Sequence, residues 1–257
     1  MRWDMVKAMN EEVEALVLRQ TDYKEADRIV TVLTPDLGKI AFRAAGVRKM
    51  TSRNASSLLL YTKTRIQFDY VPEKTIFRLK TARSLNLYRK IHEDLVLSAS
   101  AGALAEAIDA LMLSGDEDGN GNSVYTLYSS FLEALNTGHD PLTCVCVSMA
   151  ELMDLHGMSP DVDECAVCGK SSVSSISTEE GGFVCADCAA KLGVPMMDKA
   201  DLLRFRLLCK AGMKNLQIVE EHSKADLKDL RFLKEILIRH SGVKPASFEF
   251  LESVLTH

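Results

Sequence analysis

Beyond Leu85 the spacing of apolar residues changes from every second position to about every 3.6, so the chain must build a β unit first and helical structure after it. Upstream, Val13–Gln20, Arg28–Leu33, Lys39–Val47, Leu59–Tyr70 and Thr75–Ser84 are rich in β-branched and aromatic residues. The breaks between them hold Asp22, Asp27, Pro35 to Gly38, Asn54 and Pro72. Five short strands in about seventy residues predict a small closed barrel of the OB type. Thr34 to Lys39 reads as a hairpin in which Gly38 supplies the positive φ. Downstream, helices are expected at 88–113, 123–136 and 141–157, then at 199–211 and 225–241. Leu104, Ile108, Leu111 and Met112 form one apolar stripe; Leu227, Leu230, Leu233 and Leu237 form another. The expected fold is therefore α+β and multidomain. An OB-fold nucleic-acid-binding domain takes residues 1–84, and a helical domain takes 85–257 with a zinc-ribbon insert at about 161–192.

The 257 residues, 47% of them hydrophobic, suffice for such cores. The most apolar stretch, Leu95 to Leu113, is interrupted by Glu106 and Asp109, so no membrane span is expected. The start lacks the apolar run of a secretory signal, which predicts a cytoplasmic protein.

Charge divides the chain as sharply as periodicity does. Between Lys39 and Arg83 stand eleven Lys/Arg residues against Asp69 and Glu73 alone. Residues 1–90 hold 18 basic and 10 acidic residues, a net +8; residues 91–169 hold no Lys or Arg and 14 acids. Residues 170–257 hold 13 basic and 12 acidic residues. A polyanion is drawn to the first part and repelled by the second, because phosphate binding rests on charge neutralisation and counterion release. Strand parity orients the cations. Ile40 and Phe42 face the core while Lys39 and Arg43 face out; Lys63 and Arg65 share a face with Tyr61; Arg78 and Lys80 lie opposite Phe77 and Leu79. The stretch from Gly46 to Arg53 adds Arg48, Lys49 and Arg53 in what reads as a flexible loop suited to a phosphate backbone. Tyr61 and Tyr70 could stack bases where exposed, although core packing is the expected role of most aromatics in a barrel this small.

Cys165-Ala-Val-Cys168 and Cys185-Ala-Asp-Cys188 are two CxxC pairs sixteen residues apart, a spacing that gathers four thiolates around one zinc ion. Two redox pairs or a disulfide are the alternative, disfavoured by the doubled spacing and the cytoplasmic setting. Gly169 fits a knuckle turn, and Gly181-Gly182 the turn of an intervening hairpin. Four sulfur ligands leave no open position for water, so the zinc is expected to be structural. Cys144, Cys146 and Cys209 read as inert core residues. None of the six histidines forms HExxH or the HxE of a deaminase, and no GxGxxG or GxSxG follows a strand. No catalytic residue and no small-molecule substrate is expected.

These residues resemble the bacterial RecO family of recombination mediators. Ala15 to Arg19, then Tyr23, Glu25 and Asp27, then Thr34, Gly38-Lys39, Gly46-Val-Arg48-Lys49 and Ser52-Arg53 follow that family's order. The four cysteines and the ending from His240 to Lys244 with Ser247-Phe248 match its zinc-bearing members. The resemblance implies a nucleoid-associated protein that binds single- and double-stranded DNA and anneals complementary strands. It further implies association with RecR, contact with single-strand-binding protein, and an indirect action on RecA loading. Carried over by position, Lys39, Arg43, Arg48, Lys49 and Arg53 become DNA contacts; Lys63, Arg65, Arg78 and Lys80 rest on parity alone. Two departures stand out: Met50-Thr51 where the family has a basic, proline-containing loop, and the cation-free segment 91–169 where an acidic tail of single-strand-binding protein would dock. An adaptor that binds proteins through its barrel and ribbon, with incidental DNA contact, is the alternative.

Overall fold

A computed structural model of the chain describes residues 9–71, 74–115 and 119–256. The opening residues, the break at Pro72 and the centre of the 114–122 break lie outside the described residues. Two compact units divide the chain. The first takes residues up to Arg89 together with Ile108–Ser129; the second takes Lys90–Ala107 and the residues from Ser130 onward. The first reaches past the change of periodicity because Arg19 and Lys39 both bind Asp109, at 2.7 and 3.2 Å, and Lys39 exchanges two backbone hydrogen bonds with Gly115.

Five strands close the barrel of the first unit: β1 (Met9–Tyr23), β2 (Asp27–Thr34), β3 (Gly38–Ala44), β4 (Lys63–Tyr70) and β5 (Ile76–Asn86). Their order around the wall is β1-β2-β3-β5-β4, with β3 and β5 parallel and every other pair antiparallel. Strand β1 is long enough to serve two partners, β4 through its first half and β2 through its second, with a register shift between Val17 and Arg19. Alternate residues fill the interior: Val13, Ala15 and Val17 meet Val30, Val32, Ile40, Phe42, Ile66, Phe68, Phe77 and Leu79. Phe68 makes edge contacts with Phe42 at 5.1 Å and Phe77 at 5.3 Å. The hairpin forms as expected, with Gly38 at φ 59° and the Thr34 hydroxyl accepting from the Leu37 N–H.

Two strand limits differ from expectation. Ala45 to Val47 turn away from β3, and Leu59 to Thr62 precede β4 behind a 3-10 turn at Ser56–Leu58. Tyr61, at φ 63°, donates its backbone N–H to Val17 O, so its side chain shares no strand parity with Lys63 and Arg65.

The helices are α1 (Arg89–Glu93), α2 (Leu95–Leu111), α3 (Gly121–Thr137), α4 (Pro141–Leu155), α5 (Ala186–Leu192), α6 (Lys199–Ala211), α7 (Leu216–His222), α8 (Leu227–Ser241) and α9 (Ser247–Leu255). The single helix expected over 88–113 is split at Asp94, whose carboxylate accepts from Leu97 N–H and starts α2 anew. Helices α5, α7 and α9 are too short to register as periodic stretches in the sequence. In the second unit α4 is the hub. Asp140 caps it, Pro141 opens it, and residues Thr143–Ala150 are all buried beneath α6, α7 and α8. None of the described helices is long and apolar enough to cross a membrane.

Candidate nucleic-acid interface and metal centre

The register of three strands assembles the basic end of the barrel. Arg43 of β3 lies beside Arg78 of β5, and Arg78 lies opposite Asp69 of β4. Around this row opens a cleft of about 620 Å³ lined by Arg43, Lys74, Arg78, Asp69, Val71 and the half-exposed Ile76. Tyr23, at the β1–β2 turn, is 42% exposed and carries the Arg43 guanidinium 5.6 Å and the Lys24 ammonium 5.5 Å from its ring centre.

Ion pairing then sorts the nine sequence-predicted contacts. Lys39 is held by Asp109 and is only 13% exposed. Lys63 and Arg65 face Glu14 at 3.6 and 2.6 Å, and Arg65 also reaches Glu12, so the outer face of the β1–β4 pair is neutral. Arg43 pairs with Asp27 at 2.8 Å, Arg48 with Asp22 at 3.3 Å, and Lys80 with Asp69 at 2.5 Å. Lys49, Arg53 and Arg78 are exposed and have no ion-pair partner among the described residues, and the same holds for Lys74 and Arg83, which the sequence reading did not single out.

Three of the paired acids, Glu14, Asp22 and Asp27, are held toward their charged form. The Arg65 hydrogen bond holds the Glu14 carboxyl below its ordinary value against the effect of burial, and the Arg28 hydrogen bond does the same at Asp22. At Asp27 the Gly46 N–H leads, with Arg43 second.

Packing, the role expected of most barrel aromatics, claims both Tyr61 and Tyr70. Tyr70 lies flat on Phe77 at 5.4 Å, and burial pushes the Tyr61 phenol up. Tyr23 and Ile76 take their place as exposed apolar surface among the cations. Their signal in the sequence is position, at the ends of strands β1 and β5, rather than residue type.

In the second unit the four sulfur atoms of Cys165, Cys168, Cys185 and Cys188 lie within 4.8 Å of one another. Cys168 and Cys185 are 3.7 Å apart, close to the ~3.8 Å edge of a tetrahedron built on Zn–S bonds of about 2.3 Å. The first pair sits in a knuckle, with Gly169 at φ 69° and its N–H donating to Cys165 O at 2.8 Å. Burial opposes ionisation of Cys165, but backbone N–H groups of Cys185, Val167 and Cys168 outweigh it and draw the thiol down to about 6. The second pair straddles the start of α5. Between the pairs, β6 (Ser175–Ser177) and β7 (Gly182–Val184) form the expected hairpin. A side chain at Gly182 would collide with the backbone of Asp161, which flanks β7. Phe183 carries the ribbon onto the helices, meeting Phe205 of α6 at 6.2 Å, which meets Phe232 of α8 at 6.0 Å. Cys144 and Cys146 are buried in α4, and burial raises the thiols of both and of Cys209, leaving them unreactive at neutral pH.

Barrel and cysteine cluster together define an OB-barrel protein with a helical unit that carries four thiols close enough to hold one metal ion. The family model described as Recombination protein O N terminal matches residues 9–88, and the one described as Recombination protein O C terminal matches residues 92–249. The chain is 30% identical over 253 residues to the DNA repair protein RecO of a Roseiflexus species, covering 94% of this chain and 84% of that one. It is 30% identical over 242 residues to the DNA repair protein RecO of Dehalococcoides mccartyi, covering 90% and 93%. With the protein of the same name from Bacillus pumilus it shares 33% over 182 residues, covering 69% and 68%. The chain belongs to the RecO family of DNA repair proteins.

Proposed function

We propose that the protein is a non-catalytic mediator that binds single- and double-stranded DNA and anneals complementary strands, acting with RecR and single-strand-binding protein to promote RecA loading at the nucleoid. The observation that carries the DNA reading is the cleft around Arg43, Lys74 and Arg78, where cations outnumber the single Asp69 and exposed apolar surface stands beside them. Annealing without a nucleotide cofactor follows from that chemistry. Cations neutralise the mutual repulsion of two backbones while base edges remain free to pair. The unpartnered cations Lys49, Arg53, Lys74 and Arg78 are the primary contacts in this reading. Arg43, Arg48 and Lys80 join by exchanging a carboxylate for a phosphate, and Lys39, Lys63 and Arg65 are the least available.

The neutral β1–β4 face suits a protein partner, which favours RecR there and gives the adaptor reading its one support. For the acidic tail of single-strand-binding protein, Lys214, Lys224, Arg239 and Lys244 offer exposed cations outside the cation-free segment. The metal is read as one structural zinc, because four thiolates complete its shell. Annealing of complementary oligonucleotides over a salt series tests the proposal, with a variant in which Arg43, Lys49, Arg53 and Arg78 are replaced by alanine. Annealing that falls with salt and is lost in the folded variant supports it. A wild-type protein that neither binds nor anneals DNA at low salt refutes it in favour of the adaptor.

A further inference from the structure

Met50 is fully exposed, at 105% of its reference area, and single exposed apolar residues are common enough to need no cause. Its setting is less common. The loop that presents it is rooted by buried Val47 and tied to the barrel at both ends. Gly46 N–H donates to Asp27 at 2.8 Å and Arg48 N–H to Ala26 O at 3.0 Å. Within the loop Lys49 N–H donates to Gly46 O and Ser52 N–H to Lys49 O. Beyond it the Asn54 side chain receives Ala82 N–H at 3.1 Å and donates to Lys80 O at 3.3 Å. The stretch expected to be a flexible basic loop is thus a braced projection, with a bare thioether at its tip. On either side stand Lys49 and Arg53, both without an acidic partner among the described residues, and Arg48, paired with Asp22.

We propose that Met50 is an apolar wedge that enters the base stack of the DNA held by these cations. The inference rests on the DNA-binding reading above. Charge selects the occupant: a polyanion whose phosphates are drawn to both sides of the tip brings its bases, not its backbone, against the methionine. An unbranched thioether fits between two bases with little strain, as apolar wedges do in proteins that unstack or kink DNA. Unstacking one step exposes the base edges there to an incoming strand, which ties the wedge to annealing.

The test uses the full-length protein and oligonucleotides carrying 2-aminopurine, whose fluorescence rises when its stacking is broken. Wild-type protein and Met50→Leu are expected to raise the signal at saturation. Met50→Ala is expected to bind roughly tenfold more weakly, the equivalent of one buried methionine side chain. Its salt slope should be unchanged and its fluorescence rise absent. Equal affinity and equal fluorescence for Met50→Ala and wild type would overturn the wedge while leaving DNA binding intact. Absence of DNA binding by the wild type would overturn both.

Discussion

Arg204 of α6 gathers three carboxylates within the helical unit. Its guanidinium, 12% exposed, binds Asp229 through Nε at 2.6 Å and Nη2 at 3.3 Å, Asp201 at 2.8 Å and Asp226 at 3.0 Å. Asp226 and Asp229 also form the capping box that starts α8. Replacing Arg204 by alanine leaves three converging carboxylates. Asp226, 43% exposed, returns to water, but Asp229, at 1%, cannot. The loss is therefore that of breaking a buried pair, about 3–5 kcal/mol, a large share of the ~5–15 kcal/mol that holds a domain folded. Urea denaturation followed by far-ultraviolet circular dichroism, where the helical unit dominates, measures it. Asp229→Asn added to Arg204→Ala removes the stranded charge and should recover more than half of the loss. A loss below about 1 kcal/mol for Arg204→Ala, or no recovery in the double variant, would refute the reasoning. The sign of the pH dependence is fixed as well. Burial raises the Asp229 carboxyl above its ordinary 3.8 even with Arg204 present. The cost of keeping it charged therefore grows as pH rises through that raised value, and Arg204→Ala should be least damaging in acid.

Two further outcomes are expected. If the four cysteines hold zinc and the barrel binds DNA as proposed, treatment with a chelator, or Cys168→Ser, should open residues 161–192 to proteolysis without changing DNA affinity; loss of DNA binding with the barrel intact would show that the ribbon does more than hold the helices. Glu252, with Arg231 at 2.9 Å and Lys234 also bound, is held below its ordinary 4.5 although burial opposes its charge. Its contribution is complete well above 4.5 and lost as pH falls through the lowered value, so the stability difference between wild type and Glu252→Gln should be full at neutral pH and shrink as pH falls below 4.5.

The barrel was legible in the sequence because two-residue alternation, the Thr34 to Lys39 turn and the five apolar runs all agree. The gathering of the four cysteines was legible because such a thiol set is written locally, in two pairs and one turn glycine. The availability of the cations was not. A window from Lys39 to Arg83 counts eleven of them and omits Glu12, Glu14, Asp22, Asp27 and Asp109, which pairing and hairpin closure bring back beside Arg65, Lys63, Arg48, Arg43 and Lys39. Tyr61 was misplaced for a related reason. Parity holds only while a strand continues, and a positive-φ residue stops it there.

The central claim is that DNA is held first by cations without an ion-pair partner among the described residues, Lys49, Arg53, Lys74 and Arg78, and not by the ion-paired Lys63 and Arg65 of the β1–β4 face. The direct measurement is the slope of log affinity for single-stranded DNA against log salt, compared between a Lys49/Arg53/Arg78→Ala variant and a Lys63/Arg65→Ala variant. Each lost phosphate contact on a single strand removes about 0.7 from the slope, so the first variant should lose about 2 and the second almost nothing. A slope unchanged in the first and reduced in the second would contradict the account and move the DNA site to the β1–β4 face.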